Sequence, residues 1–316
     1  MPVHPNTPPI SPAPVPETHP ARRPLADGLS CSPIGFGCWR FTHGDTRQAQ
    51  AVVEAALDAG MDLIDTADVY GLDWGGTGFG SVEELLGQVL RAAPHLRDRM
   101  VLATKGGIRP PVPYDSSPDS LRAACEASLR RLGVEHIDLY QVHRPDLFTH
   151  PHDVADTLAA LHAEGKVGAV GISNHTPWQH LALHGALEER GLRVASTQVE
   201  YSAAHLEPLR DGTFDVAMST GAATMAWSPL AGGRIVTGEG MPPALLAVLD
   251  ELAADRGVDR ATVALAFALA HPSRPIVLVG SQDPARIGAA TRALTVTLDR
   301  TDLYRIVVAS EGRPLP

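Results

Sequence analysis

Eight short apolar runs, separated by helix-forming segments, set the narrowest limit on what this chain can become. The runs are IGFGCW (34–39), MDLID (61–65), MVLATK (100–105), IDLYQVH (137–143), GAVGIS (168–173), STQVEY (196–201), ATMAWS (223–228) and IVLVGS (276–281). They are near-continuously apolar, as strands covered on both faces must be. The segments between them carry helix signals. TRQAQAVVEAALDAG places Val52, Val53, Ala56 and Leu57 on one face and ends at Gly60. Ser81 and Glu84 predict a capping box ahead of Leu85 and Leu86. Ser117 before Pro118 predicts an N-cap followed by proline at the first helical position. Thr176-Pro177-Trp178-Gln179 repeats that pattern and adds a capping-box glutamine, and Asp283-Pro284 opens a helix after the last strand.

Strands alternating with helices imply parallel βαβ units. A doubly wound sheet competes with a closed barrel. Eight units in 316 residues favour closure, because a (β/α)8 TIM barrel takes about 250 residues plus insertions. PLADGLSCS (24–32) predicts a short N-terminal hairpin with Asp27-Gly28 as its turn. Residues 1–21 are rich in proline and predict a disordered tail, leaving 22–316 as a single barrel domain.

Charge and composition remove several function classes. A net charge of −10 argues against general nucleic-acid binding, which needs basic surface to neutralise phosphates. No run reaches the roughly 18 apolar residues of a membrane span. The first residues lack the apolar stretch of a signal peptide, so the expectation is a cytoplasmic protein. Cys31, Cys38 and Cys125 have no metal-ligand spacing and predict small core residues, with Cys38 in the first strand and Cys125 in a helix.

The longest irregular pieces, 71–80, 106–117 and 229–243, follow strands two, three and seven. They fall at the C-terminal ends of strands, the face that carries the active site in such barrels. The polar residues at those ends are Trp39-Arg40, Asp65 then Tyr70, Lys105, His143, Ser173-Asn174, Gln198, Trp227-Ser228 and Gly280-Ser281. Asp65, Tyr70, Lys105 and His143 form a readable set. A lysine beside a tyrosine favours phenolate, and a carboxylate would keep the lysine in place and charged. A tyrosine near 10 is otherwise a weak acid at neutral pH. Such a group donates a proton to an oxygen as negative charge develops on it, with His143 orienting a carbonyl oxygen or relaying the proton. The set contains no hydride source, so a reduction would need a nicotinamide cofactor.

The motifs DTADVYG (65–71), GSVEELLG (80–87), TK (104–105), HRPD (143–146), GKVGAVGISN (165–174), AWSPLAGG (226–233) and VGSQDPARI (279–287), with Gln198, occur in order along the chain. Together they resemble the aldo-keto reductases, in a bacterial oxidoreductase branch. The resemblance implies a catalytic tetrad of Asp65, Tyr70, Lys105 and His143, reducing an aldehyde or ketone to an alcohol. It also implies NADPH extended across the barrel mouth, with Trp39 and Arg40 flanking the nicotinamide. Ser173, Asn174 and Gln198 would hold the carboxamide, and Trp227 would lie at the ring. Ser228 and Leu230 would follow the pyrophosphate, and Ser281, Gln282 and Arg286 the 2′-phosphate. The helix opened by Asp283-Pro284 adds backbone N–H groups to that anion site. Gly280 replaces a lysine common in relatives, and Ala289-Ala290 an acidic-amide pair, so the preference for NADPH over NADH, which would bind with lower affinity, is expected to be smaller than in those relatives.

Other readings of the same residues are plainer. Tyr70 alone fits a barrel-rim aromatic, and His143 alone a core histidine. His180 and His184 stand one helical turn apart with no acid between them, so no metal site is read there. His150-Pro-His152 suggests a metal-dependent hydrolase, but such barrels place that pair at the end of strand one, here Trp39-Arg40. Gly76, Gly78 and Gly80 do not follow a strand and read as a mobile loop, not a dinucleotide fingerprint. An NADPH-binding regulatory subunit with slow turnover is the alternative function. Tyr70, Trp74, Phe79, Arg109 and Tyr114 are expected near the mouth, and the short stretch after the last helical pattern predicts an open, permissive substrate site.

Overall fold

A computed structural model describes residues 22–42, 45–72 and 75–315. The tail expected over 1–21 and the mouth residue Trp74 lie outside them. The chain opens with β1 (Arg23–Ala26) and β2 (Leu29–Cys31), an antiparallel hairpin turning at Asp27-Gly28. Gly28 has a φ of 73°, which a glycine adopts without strain.

The alternating part follows as β3 (Ile34–Gly37), α1 (Thr46–Asp58), β4 (Leu63–Asp65), α2 (Ser81–Ala92), β5 (Val101–Gly106) and α3 (Pro118–Leu132). Next come β6 (Ile137–Val142), α4 (Pro151–Ala163), β7 (Val167–Ser173), α5 (Pro177–Glu188), β8 (Ser196–Glu200) and α6 (Thr213–Thr220). After β9 (Ala223–Trp227) stand α7 (Arg234–Thr237), α8 (Pro243–Arg256) and α9 (Arg260–Leu269). The chain then runs through β10 (Ile276–Val279), α10 (Pro284–Ala290) and α11 (Arg300–Glu311). Strands β3 to β10 pair in parallel in sequence order, and β10 returns to β3 to close the barrel. All eight expected strands are present, and the hairpin precedes them.

The apolar side chains divide into two sets. One lies between barrel and helices and includes Val53, Leu86, Leu132, Leu158 and Ile306. The other fills the inside of the barrel toward the strands' N-terminal ends: Leu63, Val101, Leu139, Ile276 and Leu278, with Leu25 and Cys31 of the hairpin packed among them. All three cysteines are buried and unbridged.

Two local expectations are corrected. The first barrel strand ends at Gly37, and Cys38–Arg40 form a 3-10 turn. Trp39 is 36% exposed, and a strand covered on both faces does not continue through a side chain left that open. Ser81 does not cap α2. Gly80 takes the N-cap position at φ 83°, and no side chain caps that end. The chain enters the helix in a left-handed conformation, and a Cβ at Gly80 would sit 2.6 Å from Arg131 Cδ. Ser117 does stand at the N-cap of α3, yet its hydroxyl donates to Asp115 rather than to the helix. The capping box of α5, Thr176 with Gln179, forms as its sequence predicts. The piece 229–243, expected to be irregular, contains a 3-10 turn at Ala231–Gly233 and the single turn α7.

Candidate active site

Asp65 closes β4 and Lys105 is the penultimate residue of β5, so both side chains enter the barrel near its C-terminal mouth. Lys105 is fully buried and Asp65 is 2% exposed. The lysine ammonium donates to Asp65 Oδ2 at 2.6 Å, to the Thr66 carbonyl at 2.8 Å and to the Tyr70 hydroxyl at 3.3 Å. These three bonds use all three of its protons. Tyr70 reaches this point because residues 66–72 fold back over the mouth. The Asp68 N–H donates to the Lys105 carbonyl, and the Tyr70 N–H to the Ala67 carbonyl. His143 follows β6, where its N–H still donates to Gly106, and its ring meets Tyr70 edge-on at 5.8 Å between centroids. The four residues read from sequence therefore meet at one place.

Their charges are set by opposing effects. Burial pushes the Lys105 ammonium down, but Asp65 and then Tyr70 outweigh it and hold the group above the ordinary lysine range. Burial pushes the Tyr70 phenol above its ordinary value, and Lys105 only partly pulls it back. The simple expectation of a lowered phenol is thereby corrected. Lys105 acts in the expected direction, but desolvation of the phenolate is larger. Burial, then Lys105 and Arg144, drive His143 well below the usual histidine range, so its imidazole is neutral. Its Nδ1 is buried without a hydrogen-bond partner.

The candidate cofactor residues lie around this centre in two groups. Asn174 links one of them: its Nδ2 donates to Ser173 Oγ at 2.7 Å and to the His143 carbonyl at 3.3 Å, and its Oδ1 accepts from Trp227 Nε1 at 3.1 Å. The Ser173 hydroxyl and the Asn174 N–H both donate to the Gln198 carbonyl. The Gln198 side chain turns inward and donates to Asp65 Oδ1 at 3.0 Å. Asn174, Ser228 and Ala231 hold φ near +50 to +57°, a conformation that costs non-glycine residues energy and clusters at functional sites. Arg40 crosses to the Gly232 carbonyl at 2.8 Å, which joins the turn after β3 to the segment that carries Ser228 and half-buried Leu230.

The second group lies beyond β10. Ser281 Oγ accepts from the Asp283 N–H, and Gln282 donates to the Gly280 carbonyl. Asp283 caps α10 through one oxygen, and its other oxygen lies 3.5 Å from Arg286 Nε. Arg286 is otherwise open to solvent, its side chain 81% exposed.

The sequence reading gave three further residues no role. Gln141 Nε2 lies 3.2 Å from Asp65 Oδ1, a polar residue inside an apolar run. Glu83 is fully buried, where Thr104 and Arg131 bond its two oxygens. Asp68 is 1% exposed, and its Oδ1 lacks a hydrogen-bond partner. It lines a cleft of about 300 Å³ against α3 with Phe79, Arg109 and Arg131. Phe79 and Arg109, expected near the mouth, line this cleft. His180 and His184 are buried on α5, and no cluster of metal-binding residues occurs among the described residues. No helix among them is long and apolar enough to cross a membrane.

Residues 33–311 match the aldo/keto reductase family. The chain belongs to that family. It is 46% identical over 301 residues to the 6-dehydroglucose reductase of Novosphingobium aromaticivorans, covering 94% of this chain and 98% of that one. It is 35% identical to the 6-dehydroglucose reductase of Agrobacterium fabrum, covering 91% of this chain and 98% of that one. It is also 35% identical to the oxidoreductase YdhF of Escherichia coli, covering 92% and 97%. As an aldo-keto reductase the protein is an oxidoreductase acting on carbonyl and alcohol groups of small molecules, with a nicotinamide cofactor.

Proposed function

We propose that this protein uses NADPH to reduce the aldehyde carbon of an oxidised sugar, with Tyr70 as general acid. The observation that carries the reading is the Lys105 ammonium held between Asp65 and the Tyr70 hydroxyl at the barrel mouth. Because Lys105 donates to the phenol oxygen, the phenolic proton points away from the lysine. Burial keeps that phenol protonated at neutral pH, the form that can donate. As negative charge develops on the carbonyl oxygen, Tyr70 transfers its proton to it. The adjacent ammonium stabilises the phenolate left behind, and water returns the proton afterwards. Neutral His143 orients the carbonyl oxygen through a ring N–H. Asp65 anchors Lys105.

The cofactor supplies the hydride that the carbonyl carbon receives. The donor set suits it. Ser173 and Asn174 would meet a carboxamide at the strand ends with hydroxyl and amide groups, Gln198 would join them if its amide turned from Asp65, and Trp227 would lie beside them. Trp39 and Arg40 would flank the ring. Ser228 and Leu230, on backbone bridged by Arg40, would follow the pyrophosphate. Ser281, Gln282 and exposed Arg286 would take the 2′-phosphate. The sugar aldehyde rests on the two relatives named for 6-dehydroglucose, which align over nearly their whole length.

The test is turnover by purified protein with NADPH against 6-dehydroglucose, simple aldehydes and ketones, followed by nicotinamide absorbance. The sugar aldehyde is expected to give the highest kcat/KM, and Tyr70→Phe to lower kcat by at least ~10²-fold with NADPH affinity unchanged. Tight NADPH binding with no turnover of any carbonyl overturns the proposal.

A further inference from the structure

Asp65 is held from three sides, and only one of its partners belongs to the tetrad. Its Oδ2 accepts from Lys105, while its Oδ1 accepts from Gln198 at 3.0 Å and from Gln141 at 3.2 Å. All of these side chains are buried. Gln141 lies directly beside Lys105 in the β5–β6 register. It therefore projects into the barrel at the same level, one strand further round.

The orientation of that amide is fixed from behind. Ser196 Oγ donates to Gln141 Oε1 at 3.4 Å, and the Gln198 amide lies 3.5 Å from the same oxygen. With Oε1 engaged there, Nε2 faces the carboxylate; the flipped amide would set oxygen against oxygen. Gly171 makes room for the arrangement. It pairs with Gln141 on one side and Ser196 on the other. A Cβ at Gly171 would stand 2.3 Å from Ser196 Oγ and 3.1 Å from Gln141 Cγ. The serine could not then keep its place behind the glutamine amide. A polar side chain inside an apolar run, an oriented amide and a glycine that spares it space all converge on one carboxylate oxygen.

We propose that Gln141, oriented by Ser196, is a positioning residue for the reduction: it holds Asp65 so that Oδ2 faces Lys105 and Lys105 stays against Tyr70. The proposal rests on the tetrad reading given above. A donor to a charged group contributes about 10- to 150-fold when lost outright. Gln198 remains as a second donor, so the expected effect lies at the low end.

The experiment compares kcat, NADPH dissociation constant and the pH dependence of alcohol oxidation in the full chain. Gln141→Leu is expected to lower kcat about 10-fold with cofactor affinity within about twofold. Ser196→Ala, which frees the amide to turn, should lower kcat in the same direction by about threefold. Gln141→Glu sets a second carboxylate beside Asp65. That added negative charge should move the rising limb of the profile to higher pH, because it opposes phenolate at Tyr70. A space-filling role would lower Tm in these variants and move neither kcat nor the limb, which overturns the proposal. Tyr70→Phe in the same assay separates the two readings. If that variant keeps near-normal turnover, the tetrad reading falls and takes this one with it. If it is inactive while the Gln141 and Ser196 variants match the wild type, the positioning role alone is overturned.

Discussion

The Lys105 ammonium stands 3.3 Å from the Tyr70 hydroxyl and 5.0 Å from the centre of its ring. A buried cation beside a phenol affects the two directions of the reaction differently. On the proposed mechanism the neutral phenol donates in reduction, and burial favours that neutral form. In alcohol oxidation the phenolate would accept, and Lys105 is the largest influence favouring it.

Removing the charge should therefore be visible in the oxidation direction. With Lys105→Met, burial acts on Tyr70 unopposed, so its pKa rises further. The rising limb of the alcohol-oxidation profile is expected to shift to higher pH. The pH–rate profile of the variant checks this, and a limb that stays in place would show that the lysine serves only to fill the barrel.

Cofactor choice is expected to depend on Arg286. The 2′-phosphate adds roughly two negative charges, and a hydrogen bond to a charged group contributes about 1.5–3 kcal/mol. Asp283 lies 3.5 Å from the guanidinium and competes for it, so the margin for NADPH over NADH should be modest. Arg286→Ala should weaken NADPH by about 10-fold and leave NADH nearly untouched. Fluorescence titration of both cofactors against both proteins measures it; equal weakening of the two would exclude a phosphate contact.

Asp68 gives a stability prediction with a definite sign. Burial, and then the neighbouring Glu83 carboxyl, push its acid well above the usual carboxylate range. A raised folded-state value means the contribution is intact below the unfolded value of about 3.9 and is lost as pH rises toward the folded one. At neutral pH the acid is thus a liability that an isosteric amide lacks. Asp68→Asn should raise Tm at pH about 7, and the difference should vanish near pH about 4. Thermal melts across that range decide it, and a gap independent of pH would show that ionisation is not the cause.

The barrel, and the four polar residues that meet at its mouth, were legible because both are written in local pattern. Continuous apolar runs mark strands covered on both faces, and a polar residue where such a run stops marks the mouth. Asp65, Lys105 and His143 each stand at such a stop. Gln141 was placed at the end of its strand, IDLYQV, but its role was not legible, since only the register beside Lys105 gives it meaning. Gly80 displaced Ser81 as the start of α2 because Arg131, distant in sequence, packs against that corner. The turn at Cys38 was hidden by an apolar Trp39 that reads as strand but is 36% exposed. At Gln141 and Gly80 a contact between remote segments outweighed a local signal.

The hairpin bears on how molecules pass through the enzyme. Leu25 is fully buried among the inward apolar residues at the strands' N-terminal ends, and its carbonyl accepts from Arg193 just ahead of β8. The barrel is therefore a cup and not a tube. With its base stoppered by hydrocarbon, a small carbonyl substrate has one doorway for both arrival and departure. A second substrate molecule cannot enter from below to push the first out, so exchange must proceed in turn, and the departing product vacates the mouth before the next substrate descends.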